Sequence, residues 1–401
     1  MEFRPILSAM LRNKTGALLV GLQIALTLAV AANAVSIIVQ RIEKMNRPTR
    51  TDTENIFFVQ SFGFGPKYDH RATVQADLEM MRSLPGVVAA APINAIPFSN
   101  SGTSATFGPD ADPRTVTIEA NYYRMDEQGL KAFGAQLVEG RFFEKEEVEF
   151  LEMSTSRFPP VIVITRDTAK ALFGDEPALG RQVHDGLGQS ATVIGIVDHM
   201  IGSWAEWANP TRIVFVPEVQ FGPMARYVVR AEPGLRASLM AEVEQRLASS
   251  EFSRAITFVR SQEEFISRSY RSDSRMIAFL GVLVGLICIV TALGIVGLAS
   301  FHVRVRTKQI GTRRAVGARK IDIIRYFLVE NLLLTAGGVA MGALLAFGFG
   351  QWLSAVYSLP PLSPAYIVTG VALLAILGQL AVFVPALKAA DIPPATATKT
   401  V

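Results

Sequence analysis

The chain has 401 residues, of which 50% are hydrophobic and only 18% are charged. A water-soluble globular chain is usually nearer a quarter charged, so this composition argues against a wholly soluble protein and for membrane spans carrying a sizeable soluble part. The single cysteine, Cys288, excludes an intrachain disulfide and a cysteine-based metal site.

Residues 1–15 form a short basic N-terminus with Arg4, Arg12 and Lys14. An apolar run at 16–39 comes next, long enough to cross a bilayer. Ala32-Asn33-Ala34 fits a signal-peptidase site. The run is longer than a usual signal-peptide core and continues through Ile37, Ile38 and Val39, which favours an uncleaved span.

Residues 40–275 are mixed in polarity and read as one large α+β domain. His70–Leu84 places Val74, Leu78 and Met81 at helical spacing, and Leu235, Leu239, Val243 and Leu247 form a second stripe. Strands are expected at NIFFVQSF, TVTIEA, VIVIT, ATVIGIV, RIVFVP, YVVRA and ITFVR, all rich in β-branched residues. Strands and helices do not alternate strictly, so a mixed sheet is expected. The acidic stretch FEKEEVEFLEMSTSRFPP reads as a loop. SQEEFISRSYRSDSRM has no Gly or Pro and is expected to extend the next membrane helix outward as a stalk. Residues 40–46 are expected to extend the first one likewise.

Three further apolar runs lie at 276–303, 326–353 and 366–387. The first two are joined by a basic connector at 304–325, and the last two by a short uncharged loop at 354–365. Residues 388–401 close the chain with Lys388 and Lys399. The fold class expected is thus four transmembrane helices with an α+β extracytoplasmic domain inserted between the first two. Lys and Arg near the span ends put both termini and the connector in the cytoplasm. Arg41, Lys44, Arg47 and Arg50 point the other way, but a long domain translocates largely regardless of charge. Gly281 and Gly285, and Gly338 and Gly342, have the four-residue spacing that lets helices approach closely.

The connector carries +7, eight bases less one acid, within a chain of net charge +4. Its position between spans and its lack of interleaved aromatics exclude a nucleic-acid patch. Gly311 and Gly317 are expected to turn the chain into and out of a short helix there. Intramembrane polar residues are few: Gln23, Asn33, Glu330, Asn331, Gln351 and Gln379. This disfavours an ion channel or a solute path through the bilayer. Glu330 is expected to pair with an arginine of the connector. No G-x-x-x-x-G-K-[ST] phosphate cradle, G-x-S-x-G elbow or H-E-x-x-H pair is present, so no enzyme chemistry is read on this chain. Asp198-His199 reads as a polar pair at a strand end, and Phe62, Phe64, Trp204 and Trp207 as core aromatics.

The connector and the first part of the next span, RTKQIGTRRAVGARKIDIIRYFLVENLLLTAGGVAMG, resemble the permease domain of the FtsX/MacB type, the type VII ABC transporters. The matching positions are Gln309, Ile310, Gly311, Arg313, Arg314, Ala315, Gly317, Ala318, Phe327, Leu328, Glu330, Gly337 and Gly338. VIVITRDTAKALFGDEPALGRQV, ATVIGIVDHM, FGAQLVEGRFF and YVVRAEPG resemble the MacB-type periplasmic core domain, and VPALKAADIPPATAT the family's ending. Residues 50–115 match least well. The resemblance implies an inner-membrane permease whose connector docks on an ABC ATPase, with Gln309, Ile310, Gly311, Arg313, Arg314, Ala315, Gly317, Ala318 and Glu330 as the coupling positions. ATP and Mg would be held by the ATPase and no cofactor by this chain. About fifteen residues precede the first run, so a separate ATPase subunit is expected. A second permease copy or paralogue, membrane lipid, and a periplasmic adaptor with an outer-membrane channel are the other implied partners. Export of a periplasmic substrate by mechanotransmission is the leading expectation. A lipoprotein-release permease, and a regulatory membrane protein that gates a periplasmic enzyme or sensor, are the alternatives.

Overall fold

The structure is a computed structural model that describes residues 14–65, 68–112, 115, 117–152, 157–357 and 360–394. Arg4, Arg12, the side chain of Lys14, Lys399 and the end of the PATAT motif lie outside the described residues. The chain divides into two compact units, one of residues 47–271 and one made of the segments on either side.

The second unit is built on four long apolar helices. They run from Lys14 to Met45, Arg271 to Val305, Lys320 to Tyr357 and Pro364 to Ala390, and each is long and apolar enough to cross a membrane. The first helix does run past the apolar stretch, to Met45. Lipid tails are as apolar as leucine, so close backbone approach and interhelical hydrogen bonds, not water exclusion, must hold such helices together. The small residues supply the approach. A Cβ on Gly338 would sit 2.8 Å from the Gly21 carbonyl, and one on Gly342 2.8 Å from that of Ala25, so the third helix lies directly on the first. The other spaced pair is different: Gly281 and Gly285 on the second helix have nothing within 4 Å.

Polar groups cross the same interfaces. The hydroxyls of Thr27 and Thr291 share a hydrogen bond of 2.7 Å, and Asn33 Nδ2 donates to the Ala346 carbonyl at 3.0 Å. Arg41 and Lys44 both pair with the buried carboxylate of Asp273, Lys44 Nζ at 3.1 Å. Two of the bases that read against the topology are therefore the counter-ions of an acid at the start of the second helix.

The unit of residues 47–271 has strands β1 (Ile56–Gly63), β2 (Val87–Pro92), β3 (Ser104–Gly108), β4 (Ile118–Arg124), β5 (Leu137–Gly140), β6 (Glu149–Glu152), β7 (Val161–Thr165), β8 (Gln182–Asp185), β9 (Ser190–Val197), β10 (Ile213–Val216), β11 (Glu218–Phe221), β12 (Met224–Ala231) and β13 (Arg254–Ser261). They form an antiparallel sheet β13-β1-β12-β2, a mixed sheet β5-β9-β7-β10-β4-β3-β8, and the parallel pair β11-β6. β8 also pairs with β9, so the mixed sheet curls back on itself around Phe107, Ile162, Ile164, Val193 and Val214. The antiparallel sheet is covered by the helices His70–Ser83 and Arg236–Ala248, whose stripes Val74, Leu78, Met81 and Leu239, Val243, Leu247 meet Phe57, Val59 and Tyr227. Leu235 stays 40% exposed at the N-cap of its helix.

Three expectations change. Gln262–Ser269 is a separate helix, capped by Ser261 and ended at Tyr270, and the membrane helix starts only at Arg271. Phe265 packs edge-on against Phe58 at 5.5 Å, so this segment folds with the strands and is not a stalk. The acidic stretch is not all loop: Glu149–Glu152 is a strand because it pairs with β11, while residues 153–156 lie outside the described residues. The expected core aromatics are not core. Phe62 and Phe64 are about half exposed, and Trp204 stacks on Trp207 at 4.5 Å with both half-buried. Asp198 and His199 do form a polar pair just past the end of β9, with His199 Nε2 3.8 Å from Asp198 Oδ1; His199 Nδ1 also meets Asp167 Oδ2 at 2.9 Å, and Asp198 also pairs with Arg166.

Buried charge is concentrated where helices meet strands. Asp77 accepts from Tyr227 Oη at 2.8 Å and from Arg254 at 2.5 Å. Asp126 pairs with Arg82, yet burial outweighs that pairing and pushes its carboxyl up to about 6. A carboxyl raised on folding contributes stability that is full below its unfolded value and is lost as pH rises through its folded one. Between pH 4 and pH 7 the domain should therefore lose up to about 3 kcal/mol through Asp126. Denaturant unfolding followed by tryptophan fluorescence should show that fall in wild type and a flatter profile in Asp126→Asn; equal slopes would refute the assignment. In the helical unit, Gly342→Leu should separate the first and third helices and lower the thermal midpoint of the monomer in detergent by many degrees, whereas Gly281→Leu, with nothing of its own chain within 4 Å, should leave the monomer's midpoint unchanged.

Candidate coupling site

The last turn of the second membrane helix carries His302, and the first three turns of the third carry Tyr326 and Glu330. Between them the chain makes a short helix, Thr307–Ala315. Its sequence is poor in apolar residues, and one side chain, Ile310, is buried. Ile310 enters an apolar cluster with Ile323 and Phe327 of the third helix and Ala386, Ala389 and Ala390 of the fourth. The short helix thus lies against both of them by one face. The opposite face carries Lys308, Thr312 and Ala315, all exposed, and the helix is followed by Val316, which is 84% exposed; Gln309 and Arg313 are also exposed but flank Ile310 on the anchored side.

Gly317 ends the helix. Its φ of +104° suits glycine, and two bonds close the turn: Gly317 N–H to the Arg314 carbonyl and Ala318 N–H to the Arg313 carbonyl. This is the Schellman termination that satisfies the last helical carbonyls. Asp322 then caps the third helix by accepting from the Arg319 N–H at 2.9 Å. Gly311 is another matter. It is buried in the middle of the short helix and makes no turn, so the expectation that it leads the chain into the helix is corrected. The entry lies at Arg306, outside helical geometry at φ −100° and ψ 12°.

Glu330 is buried, and the arginine that reaches it is Arg306, not Arg313 or Arg314. Arg306 Nη1 lies 3.0 Å from Glu330 Oε2 and also donates to Tyr326 Oη at 3.0 Å. His302 Nδ1 stands 3.3 Å from the other carboxylate oxygen. Arg313 lies over the Tyr326 ring at 5.0 Å. Arg314 is half-buried, with Nε lacking a hydrogen-bond partner among the described residues. Lys320 bonds Asp391 at 2.5 Å, joining the start of the third helix to the end of the fourth; that bond, with a weaker pull from Arg314, holds the Asp391 carboxyl below the usual range.

Of the expected coupling positions, Ile310, Gly311 and Glu330 are buried, Arg314 and Ala318 are half-buried, and Gln309, Arg313, Ala315 and Gly317 are exposed. They do not converge on one pocket. His302, Arg306 and Tyr326 were missed as site residues, although spacing held a signal. His302 and Arg306 are four apart, as are Tyr326 and Glu330, so each pair lies along one helical face.

The connector is thus a short helix fixed between two membrane helices and exposing basic groups. A family profile described as the MacB-like periplasmic core domain matches residues 23–250, and one for the FtsX-like permease C-terminal region matches residues 281–394. The chain belongs to the MacB/FtsX-type permease family. It is similar to the macrolide export ATP-binding/permease protein MacB of Chromobacterium violaceum, 29% identical over 70% of this chain and 43% of that protein. MacB 1/2 of Paracoccus denitrificans is 27% identical over 86% of this chain and 50% of that protein. The chain therefore spans about half the length of these curated relatives. Among solved structures, the periplasmic region of MacB from Actinobacillus actinomycetemcomitans aligns over 56% of this chain and 97% of that one, with 14% identity and a TM-score of 0.35.

Removing one partner of a buried ion pair leaves an uncompensated charge and typically costs about 3–5 kcal/mol, whereas replacing both by apolar groups costs far less. Glu330→Ala should accordingly lower the stability of the purified protein sharply, and the double change Arg306→Met with Glu330→Met should recover most of the loss. If the double variant is as unstable as the sum of the single ones, the pair is not coupled.

Proposed function

We propose that the chain is the membrane lever of an ABC exporter: its connector docks on a cytoplasmic ABC ATPase, and ATP-driven movement there changes the conformation of the large domain in the periplasm. The observation that carries this reading is the two-sided anchoring of the Thr307–Ala315 helix. One face is fixed to the third and fourth membrane helices by Ile310, and its entry is fixed by Arg306 to Glu330. A docking helix tied in this way moves its spans with it instead of yielding. The outward face, with Lys308, Thr312 and Ala315, and the exposed Gln309 and Arg313 at its edge, suits an acidic groove on a partner.

In this reading ATP and Mg are bound by the ATPase. Gln309, Arg313, Ala315 and Gly317 meet it, while Ile310, Gly311, Ala318 and Glu330 hold the lever in shape, with Arg314 between the two roles. The spans sit in the inner membrane with both termini and the connector cytoplasmic. A second permease would seat on the second helix, where Gly281 and Gly285 leave room for close approach. The exported substrate lies in the periplasm, leaving through an adaptor and outer-membrane channel without crossing this bilayer. The few intramembrane polar groups support that route.

The purified complex of this chain with its ATPase provides the test. Arg314→Glu should weaken assembly, and Gly317→Pro, impossible at φ +104°, should leave assembly measurable but cut permease-stimulated ATP hydrolysis at least tenfold. Unchanged assembly and hydrolysis in both variants would refute the docking role.

A further inference from the structure

The 47–271 unit holds a cleft of about 300 Å³, at the lower end of the volumes typical of small-molecule sites. It lies between the β2–β12 edge, the segment 93–103, and β11. Its charged groups are not balanced. Glu218 is consumed by Arg124, Nε to Oε2 at 2.8 Å, and Arg124 also lies over the Tyr122 ring at 4.5 Å. Arg226 has no carboxylate partner among the described residues. It donates to Gln60 Oε1 at 2.7 Å and to the Asn94 carbonyl at 2.6 Å, both neutral, and burial lowers its pKa. A partly buried guanidinium held by neutral acceptors on a cleft wall is a standing site for an anion.

The cleft's rim supplies a second, independent observation. Phe98 and Asn100 both have positive φ, +62° and +55°, a conformation that is rare for a bulky side chain. Their N–H groups are held by the carbonyls of Gly202 and Ser203 at 3.0 and 2.9 Å. This clamp sets the course of Ser101, Gly102 and Thr103 along the cleft. Asn94 braces the other side, donating to the Tyr122 carbonyl and accepting from the Arg124 N–H. Strain of this kind persists where the surroundings over-determine it, and it gathers at ligand sites. The remaining lining is mostly apolar, with Val74, Ile93, Val219 and Met224, and includes a further polar side chain, Gln220.

We propose that this cleft binds a small amphipathic anion, with its acidic group on Arg226 and its apolar body against Val74, Ile93, Val219 and Met224. The site is independent of the coupling role of the connector. The test uses the full chain in nanodiscs and equilibrium dialysis, with uptake by empty nanodiscs subtracted. The probes are 4-phenylbutyrate, 4-phenylbutylphosphonate and the neutral 4-phenylbutyramide. One-to-one saturable binding is expected for at least one anion, with the amide at least tenfold weaker. Saturation by the carboxylate alone assigns a carboxylic acid, and saturation by the phosphonate assigns a phosphate-type headgroup. Arg226→Gln should weaken binding at least tenfold, and Arg226→Lys should restore part of it. Ser101→Trp, which closes the exposed rim and leaves Arg226 in place, should abolish binding and carries the test if the arginine variants fold poorly. No saturable binding of either anion, equal binding of the amide, or full binding by both Arg226→Gln and Ser101→Trp overturns the proposal.

Discussion

The helical unit depends on the ion pair between Arg306 and Glu330. A carboxylate buried near the start of a membrane helix is tolerable only when a cation reaches it. Here the cation comes from the last turn before the connector helix, so the solvation of Glu330 and the position of that helix are one problem. His302 stands on the other oxygen, and Tyr326 accepts the hydrogen bond left over from Arg306. The second membrane helix has a comparable cluster at its far end, where Asp273 holds Arg41 and Lys44. Twenty-nine residues at 1.5 Å each separate Asp273 from His302, so the helix is a rod about 43 Å long with charge anchors at both ends.

Small residues do what water exclusion cannot do inside a membrane. Gly338 and Gly342 let the third helix rest on the backbone of the first, and Thr27, Asn33 and Thr291 supply directional bonds across the helices. The soluble unit obeys the ordinary rule instead. Its two cores are apolar, and its buried acids, Asp77 and Asp126, sit where an arginine from another element can reach them.

Long apolar runs and strongly periodic stripes were legible because their signal is local. The four spans, the stripes of the two covering helices and strands such as VIVIT are each specified by their own residues. The missed strands were β2, β3, β5, β6, β8 and β11, which are short, acidic or alanine-rich. Glu149–Glu152 is a strand only because Glu218–Phe221 lies beside it. The break at Tyr270 was hidden for a related reason: no helix breaker marks it, and contact of Phe265 with Phe58 holds the short helix before it against the sheet.

By itself the sequence determined the class of this protein: the number of spans, the inserted domain, the basic connector and the family pattern within it. These depend on composition, run length and residue order, which need no partner in space. Only the tertiary structure decided which arginine meets Glu330, that Gly311 lies inside the connector helix while Gly317 ends it, and that Arg226 stands on a cleft without an acid. Each of those depends on residues far apart in the chain. Which of several like charges pairs with a buried group is set by the geometry of the helices carrying them, and order along the chain does not encode that geometry locally.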